Sequence, residues 1–303
     1  MAQISIAMAT YNGEAYIAEQ IESILSQSFH DFELVIHDDC STDGTYALLC
    51  DYAQKDSRIS LERNETNLGF AKNFAGIVQR CQGAYIAFAD QDDIWTEHHL
   101  ETLMNIIGDK DIACGNALLV DKNNDSLGVT MKQVVGMEKE PQADDMFWRL
   151  SFENFVQGTA MLVKKDLCDR YFPVPETVKY HDYWLALAAS LENGIAYTPE
   201  IILRYRQHGN NVTHNSKTSL LREAYNGLTG FHRNHFAHQA AILDCLQTVF
   251  GNREEILQAK SFSDHCGKKK ITPGDRDYFR KHYSDMFLTD KHYLFRKLIY
   301  LTL

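Results

Sequence analysis

The sequence lacks the features of secreted and membrane-spanning proteins. No apolar stretch approaches the roughly 20 residues that a membrane-spanning helix needs. No basic region followed by a long apolar segment begins the chain, so we expect no signal peptide. The seven cysteines are odd in number and include no Cys-x-x-Cys pair, which favours reduced thiols in the cytoplasm over disulfides or a zinc site.

Positive charge is also scarce. The chain has 30 lysines and arginines against 41 aspartates and glutamates, which gives a formal net charge of −11. Because nucleic acids bind basic surfaces, this balance argues against nucleic acid as a partner. The segment after residue 267 departs from this balance, with nine lysines and arginines against four aspartates, and it is a candidate contact for an anionic membrane surface.

The remaining composition is that of an ordinary globular protein. Hydrophobic residues make up 45% and charged residues 23% of the 303 positions. A chain of this length buries a full core, and we expect one large domain with an appendage.

The most informative segment is an apolar run that ends in three carboxylates. Residues 84–89 suit a buried strand, and Asp90, Asp92 and Asp93 follow directly. Like charges this close repel each other, so folding alone does not explain them. A hard divalent cation that also binds substrate phosphates does explain them. The alternative is a solvated acidic turn that caps a helix beginning near Thr96.

Strands and helices alternate through the first half of the chain. The pattern predicts strands at residues 4–9, 32–37, 59–62 and 85–89 and helices at residues 14–26, 45–54 and 70–82. This order predicts an α/β fold with a doubly wound, mostly parallel sheet. Ligands of such sheets bind beyond the carboxyl ends of the strands, where Tyr11, Asp39 and the aspartates at 90–93 would meet.

The second half is less regular. We predict one or two strands in residues 111–120, a short helix at 143–150, a strand pair at 155–163 and a helix at 181–191. Extended segments follow at 195–197 and 201–205, and helical patterns dominate residues 217–260. These patterns predict a domain at residues 1–213 and a helical C-terminal extension at residues 214–303.

Six short motifs, in order, resemble those of family 2 glycosyltransferases of the GT-A fold. They are ISIAMATYNG at 4–13 with ILSQSF at 24–29, DDCSTDGT at 38–45, NLG at 67–69, DQDD at 90–93, HDYW at 181–184 and YRQHGNN at 205–211. The last two are similar to the bacterial rhamnosyltransferase-like branch, which builds surface polysaccharides. Cys40 departs from the pattern, because glycine is usual at this position.

This resemblance implies a nucleotide-sugar site in the first domain. Thr10 and Tyr11 would meet the nucleotide, with Tyr11 stacked on a pyrimidine, and Asp39 would accept the N3–H of that base. Asp90 would hold the ribose or a metal-bound water. Packing at a strand end is the alternative for Tyr11, and a turn or helix cap is the alternative for Asp39.

The resemblance also implies Mg²⁺ or Mn²⁺ as a cofactor. Asp92 would bind the ion directly, and His208 would contact the ion or the diphosphate. Asp93 would lie next to these ligands without binding the ion itself. Arg206 would be a phosphate partner. The ion would offset the charge that grows on the departing diphosphate. Without its flanking motif, His208 would more simply be a solvated loop residue.

Asp182 is the general base that the resemblance implies. The family places a carboxylate here, at the start of a helix, where it takes a proton from the acceptor hydroxyl while the sugar configuration inverts. Helix capping is the alternative. His181 and Trp184 adjoin this residue, and Trp148 is predicted to line the acceptor side unless it belongs to the core.

Together these features predict an inverting, metal-dependent glycosyltransferase of surface polysaccharide assembly, such as O-antigen or capsule. It would move a sugar from a UDP- or dTDP-sugar to a hydroxyl of a saccharide acceptor, and the resemblance implies that this acceptor is linked to a polyprenyl diphosphate. The basic, aromatic segment at residues 290–301 would lie on the inner face of the plasma membrane, or else pack as an ordinary terminal helix. A sugar-nucleotide hydrolase or nucleotidyltransferase, and a binding module without catalysis, are the alternative functions.

Overall fold

The computed structural model describes residues 2–137, 140, 146–178, 180–208, 231–268 and 270–287, in two structural units. The first unit contains the described residues of Met1–Gln133, Val156–Val174 and Lys179–His214. The second contains those of Val134–Phe155, Pro175–Val178 and Asn215–Leu303. The predicted boundary at residue 213 lies outside the described residues and stays a prediction.

Four parallel strands form one half of the sheet of the first unit. They are β1 (Ile4–Thr10), β2 (Phe32–Asp38), β3 (Ile59–Arg63) and β4 (Tyr85–Ala89), in the order β3-β2-β1-β4. Ile4 pairs with Phe32 and with Tyr85, so β1, β2 and β4 start level and end at one edge. Every residue of β1 from Ile4 to Met8 is buried, which is the pattern of a strand that is covered on both faces.

Three helices connect these strands. They are α1 (Ile17–Leu25), α2 (Thr45–Lys55) and α3 (Phe70–Arg80). In α1 the isoleucines at 17, 21 and 24 recur at helical spacing and are buried. Because each helix returns the chain to the start of the next parallel strand, the loops after β1, β2 and β4 all open at the same edge.

One antiparallel strand joins this half of the sheet to the rest. β8 (Met161–Lys164) lies between β4 and β6 (Ile112–Val120) and runs antiparallel to both. Three further strands complete the sheet: β5 (Ile94–Trp95), β7 (Ser126–Thr130) and β9 (Ile195–Arg206). β9 pairs parallel with β6, whereas β5 and β7 pair antiparallel with β9 and β6. The remaining helices near these strands are α4 (His99–Ile107), α5 (Met131–Val134), α7 (Lys165–Tyr171) and α8 (His181–Ser190).

The described part of the second unit is helical. It contains α6 (Met146–Phe152), α9 (Phe231–Phe250), α10 (Glu254–Lys268) and α11 (Pro273–Phe287). Its core is a cluster of Phe152, Phe236, Phe262, Cys266 and Phe279. Of the helices that the structure describes, none is both long enough and apolar enough to span a bilayer.

The prediction of an α/β fold with a mostly parallel sheet is confirmed, and the strands and helices of the first half lie where the pattern placed them to within a few residues. Of the strand pair predicted at residues 155–163, only the second strand is seen, as β8 at Met161–Lys164, and the first is wrong. Gly158–Ala160 form a 3-10 turn before β8, because the N–H of Gly158 donates to the Asp182 carboxylate instead of to a neighbouring strand. The helix predicted at 143–150 is seen at Met146–Phe152.

Two other differences come from pairing with β9. The helix predicted from Thr96 begins at His99, because β5 pairs with β9 and the Thr96 N–H donates to the carbonyl of Ile202. The extended segments at 195–197 and 201–205 form the single strand β9. The helical prediction for residues 217–230 and the whole of segment 290–301 lie outside the described residues.

Candidate active site

The ends of β1 and β2 are joined by a network of buried hydrogen bonds. The N–H of Asp39 donates to the carbonyl of Thr10 at 2.8 Å. Thr10 Oγ1 donates to Asp38 Oδ1 at 3.3 Å, and the N–H of Ser41 donates to Asp38 Oδ2 at 3.0 Å. This network fixes the backbone around Thr10 and Asp39, two of the predicted nucleotide-binding residues at these strand ends.

Asp39 organises the loop that leads into α3. It is 3% exposed, and its carboxylate accepts hydrogen bonds from Asn64 Nδ2 at 2.9 Å and from the N–H groups of Leu68 and Gly69, each at 2.8 Å. Gly69 directly precedes α3, so Asp39 acts on the start of that helix. The contact to a base N3–H stays a prediction, and it would use the capacity that remains on a carboxylate that already accepts three bonds.

Cys40 occupies a backbone conformation that suits glycine. Its φ is 65°, in the left-handed region that side chains with a Cβ adopt only with strain. The glycine that is usual at this position of the motif therefore has a conformational reason, and Cys40 adopts the same turn.

Gln91 ties the loop after β1 to the loop after β4. Its Oε1 accepts from the N–H of Tyr11 at 2.8 Å, and its Nε2 donates to the Tyr11 carbonyl at 3.0 Å. A Cβ at Gly13 would lie 2.3 Å from that Oε1, so glycine is required for Gln91 to keep this position. Tyr11 itself is 46% exposed, so part of this residue is open to solvent at the sheet edge.

The aspartates after β4 lie close to one another and to Asp182. Burial, followed by the charges of Asp92 and Asp182, raises the pKa of Asp90 to about 8. Asp93 is 1% exposed, and burial with the charges of Asp92 and Asp90 raises its pKa well above the usual range. These shifts mean that negative charges repel one another in a poorly solvated space.

His208 faces Asp92 from the loop after β9. The His208 Nε2 lies 2.8 Å from Asp92 Oδ2. The imidazole also stacks on the ring of Tyr16, with centroids 4.8 Å apart and an interplanar angle of 19°. The two predicted metal ligands are therefore in direct contact, although they are 116 residues apart in the sequence.

Arg206 is 2% exposed and bonds to the protein through each of its guanidinium nitrogens. Its Nε donates to the carbonyl of Asp92 at 2.8 Å, and its Nη1 donates to the carbonyl of Lys122 at 3.0 Å. Its Nη2 donates to Glu19 Oε2 at 2.5 Å. The backbone N–H of Arg206 donates to Asp93 Oδ1 at 3.1 Å. Arg206 therefore holds the aspartate loop against the end of β9, and its predicted phosphate contact stays a prediction.

Asp182 is held at the start of α8. Its Oδ2 accepts from the N–H of Gly158 at 3.1 Å, and its Oδ1 accepts from the N–H of Tyr183 at 2.6 Å. Burial raises the pKa of Asp182 to about 6, and the backbone hydrogen bonds limit this rise. A carboxylate with this pKa is mostly ionised at neutral pH and still basic enough to accept a proton.

His181, next to Asp182, lies in a box of four aromatic rings. Its ring centroid is 4.4 to 6.2 Å from those of Phe70, Phe74, Phe88 and Phe172. It is 4% exposed, and neither ring nitrogen has a hydrogen-bond partner among the described residues. Burial lowers the pKa of His181 to about 3, so its imidazole is neutral at physiological pH.

The two predicted tryptophans are placed differently. Trp184 is 1% exposed, and its Nε1 donates to the carbonyl of Tyr171 at 3.0 Å, so it belongs to the core behind Asp182. Trp148 lies in the second unit, where its ring centroid is 3.9 Å from that of His282. Its contact with an acceptor stays a prediction.

The chemistry of the donor set fits a cation that is shared with a substrate. Among the residues that the structure describes, no group of three or more His, Cys, Asp and Glu side chains could by itself hold a metal ion. The Asp92–His208 pair supplies one carboxylate and one imidazole. Mg²⁺ commonly takes one or two carboxylates and completes its coordination with water and substrate phosphates, so this pair suits such a site.

Three residues of the site were not predicted from the sequence. Gln91, Tyr16 and Glu19 all act through contacts with distant parts of the chain. Gln91 lies inside the DQDD motif at 90–93, so its position was a usable signal. Tyr16 and Glu19 read only as the first turns of α1 and gave no such signal.

Comparison with known proteins identifies the family. The sequence model of the family described as glycosyl transferase family 2 matches residues 5–172 of this protein, which is more than half of the chain. The Escherichia coli UDP-Glc:α-D-GlcNAc-diphosphoundecaprenol β-1,3-glucosyltransferase WfgD is 27% identical over 227 residues, which cover 73% of this chain and 83% of WfgD. A Bacillus subtilis relative named for teichuronic acid biosynthesis, TuaG, is 37% identical over 110 residues, or 36% of this chain, and the match spans only 44% of that relative.

Solved structures with the same fold include two glycosyltransferases. Residues 1–349 of Staphylococcus aureus TarS, in complex with UDP-GlcNAc, superpose with a TM-score of 0.62 at 19% identity, over 94% of this chain and 81% of that TarS fragment. The Pyrobaculum calidifontis mannosyltransferase PcManGT, in complex with GDP-Man and Mn²⁺, has a TM-score of 0.54 at 16% identity, over 99% of this chain and 85% of that one. Because both sequence identities are below 20%, this structural similarity establishes the GT-A fold and nothing further. From its family model, its relatives and its fold, this chain belongs to glycosyl transferase family 2 and is a glycosyltransferase.

Proposed function

We propose that the chain is an inverting, metal-dependent glycosyltransferase that uses a UDP- or dTDP-sugar as donor. Its acceptor is a hydroxyl of a saccharide that is linked to a polyprenyl diphosphate, in the assembly of a surface polysaccharide. The observation that carries the proposal is the meeting of two groups at the sheet edge. One group is Asp92 with His208, and the other is Asp182. The charges of Asp92 and of Asp182 both raise the pKa of Asp90, so Asp90 lies near both groups.

Asp182 acts as the general base. Its pKa of about 6 keeps it ionised at neutral pH while it can still accept a proton from an acceptor hydroxyl. The N–H groups of Gly158 and Tyr183 fix both carboxylate oxygens, so the base is oriented before the acceptor arrives. With the base on one side of the sugar and the diphosphate on the other, the acceptor oxygen attacks the anomeric carbon opposite the leaving group. The configuration at that carbon is therefore inverted.

Asp92 and His208 would hold Mg²⁺ or Mn²⁺. When bound, this ion supplies positive charge that stabilises the departing nucleoside diphosphate. The raised pKa values of Asp90 and Asp93 support this assignment, because a cation would relieve the repulsion among these carboxylates. Arg206 keeps Asp92 and Asp93 in place through bonds to the backbone of one and the side chain of the other.

The nucleotide is proposed to lie at the ends of β1 and β2. The exposed Tyr11 supplies a ring for stacking, and the polar residues Thr10 and Asp39 lie at the adjacent strand ends. A uracil or thymine presents the same N3–H, which is why both UDP- and dTDP-sugars are candidate donors. TarS, which has the same fold, is known in complex with UDP-GlcNAc.

The acceptor is inferred from relatives. WfgD is named for transfer to a GlcNAc that is linked to diphosphoundecaprenol, and its match covers 73% of this chain. An acceptor of this kind is embedded in a membrane, so we propose that the protein works at the inner face of the plasma membrane without spanning it. The cluster of basic residues after position 267 provides charge for such a surface.

The donor is tested first by thermal stabilisation. UDP-glucose, UDP-galactose, UDP-N-acetylglucosamine and dTDP-rhamnose are each added with Mn²⁺ or with EDTA. A donor at 100 times its Kd should add about 2.7 kcal/mol to the free energy of unfolding. Stabilisation that requires both the donor and Mn²⁺ supports the proposal. Stabilisation that is equal in EDTA would contradict the metal dependence.

The base is tested with Asp182→Asn. Transfer from the selected donor to a synthetic GlcNAc-diphosphate-lipid should fall about 10² to 10⁴-fold, while the Kd for donor and Mn²⁺ stays close to that of the wild type. Asp166→Asn is the matched control, because Asp166 also lies in the first turn of a helix but is exposed. Turnover of Asp182→Asn at the wild-type rate, or release of free sugar instead of transfer by the wild type, would refute the proposal.

A further inference from the structure

The side chain that flanks His208 is an aromatic residue outside every recognised motif. Tyr16 precedes α1, and its ring stacks on the His208 imidazole at 4.8 Å between centroids. The guanidinium carbon of Arg206 lies 4.9 Å from the centroid of the same ring. Tyr16 therefore contacts two residues that are separated from each other by one position at the end of β9.

The hydrogen bond to Asp92 fixes one point of the imidazole and not its plane. This bond of 2.8 Å joins His208 Nε2 to Asp92 Oδ2. A contact with the face of the ring constrains the plane, and the Tyr16 ring supplies such a contact at an angle of 19°. Loss of a residue that orients a metal-binding histidine typically weakens metal binding by a factor of about 10 or more.

The Arg206 guanidinium that packs on Tyr16 is itself held by hydrogen bonds. Arg206 is buried, and its guanidinium donates to Glu19 and to two backbone carbonyls. Glu19 lies on α1, one turn after Tyr16, so the same helix provides the aromatic ring and the anion that anchors the guanidinium. The amino-terminal end of α1 is thus linked to both Asp92 and His208.

We propose that Tyr16 is a positioning residue that holds the His208 imidazole in the plane in which it and Asp92 take up one divalent cation. This inference rests on the proposed function, because it assumes that the pair binds the ion. The ring, and not the hydroxyl, does this, since stacking requires only the aromatic face. Tyr16→Leu should therefore weaken metal binding, and Tyr16→Phe should retain it.

The test measures Mn²⁺ binding directly, by electron paramagnetic resonance of the free ion in the presence of UDP. Tyr16→Leu should raise the Kd for Mn²⁺ about 10-fold or more. It should also shift the Mn²⁺ concentration needed for half-maximal transfer by a similar factor, with little change in the rate at saturating Mn²⁺. Tyr16→Phe should stay within about twofold of the wild type in both measurements.

Tyr52→Leu is the control, because this tyrosine lies on α2 and its hydroxyl donates to the surface residue Glu22. It should leave the Kd for Mn²⁺ unchanged. A Tyr16→Leu protein that folds, as judged by circular dichroism, and binds Mn²⁺ like the wild type would overturn the inference while the proposed function stands. Absence of Mn²⁺ binding by the wild type would instead overturn the proposed function, and the inference with it.

Discussion

Replacing His181 with leucine should make the fold more resistant to mild acid. His181 is 4% exposed among four phenylalanine rings, and neither of its nitrogens has a hydrogen-bond partner among the described residues. An imidazolium cannot be solvated in this box, which is why burial lowers the pKa of His181 to about 3 from its ordinary value of 6.5. Leucine has a similar size and cannot take up a proton.

The magnitude follows from proton linkage. Below pH 6.5 the unfolded chain binds a proton at this position that the folded protein does not bind until the pH approaches 3. The stability that the neutral histidine contributes is therefore complete above pH 6.5 and is lost as the pH falls, by roughly 1.4 kcal/mol per pH unit. Between pH 7 and pH 5 the loss amounts to about 2 kcal/mol, and a protein with leucine at this position would not undergo it.

The measurement is urea unfolding of both proteins at pH 7 and at pH 5, in EDTA, followed by circular dichroism. The difference in packing between leucine and imidazole is the same at both pH values and cancels. The free energy of unfolding of His181→Leu, relative to the wild type, should rise by about 2 kcal/mol on going from pH 7 to pH 5. His30→Leu is the control, because His30 is exposed. An equal difference at both pH values for His181→Leu would refute the reasoning.

Two further predictions concern activity and packing. The rate of transfer at saturating substrates should increase with pH through an apparent pKa near 6 and stay high above it, because Asp182 must be ionised to accept a proton. A rate that does not change between pH 5 and pH 7 would argue against Asp182 as the base. Gly83→Ala should lower the free energy of unfolding by about 1 to 3 kcal/mol, since its Cβ would lie 2.6 Å from the backbone nitrogen of Ser5. Gly76→Ala within α3 should instead be neutral or stabilising by up to about 1 kcal/mol, because its Cβ would meet only the His37 ring, at ordinary distances of 3.5 Å to Nδ1 and 3.6 Å to Cε1. Urea unfolding of the two variants checks both expectations, and equal stabilities would contradict the packing argument.

The α/β order of the first half could be predicted because its signals are local. The apolar residues of β1 are contiguous, and those of α1 recur every three to four positions, so a window of about ten residues distinguishes the two. The meeting of Tyr11, Asp39 and Asp90 at one edge then followed from the parallel order of the strands alone.

The turn at Gly158 could not be predicted in this way. Residues 155–163 are apolar enough for a strand, but the N–H of Gly158 is bound by Asp182, which is 24 residues away. The short strand β5 has the same explanation, because it exists only through its pairing with β9, more than 100 residues later. Local sequence patterns contain no information on such partners.

What the sequence determined by itself was the composition of the site: carboxylates at the end of an apolar strand, a second carboxylate at a helix start and a histidine after a later strand, in an order typical of family 2 glycosyltransferases. Only the tertiary structure decided how these groups are held. The guanidinium of Arg206 bonds to Glu19, 187 residues away, and Tyr16 stacks on His208, so their roles depend on chain segments that only folding brings together. Residue type sets which chemistry is available, whereas distance and burial set the protonation state and orientation of each group, and these are properties of the folded chain.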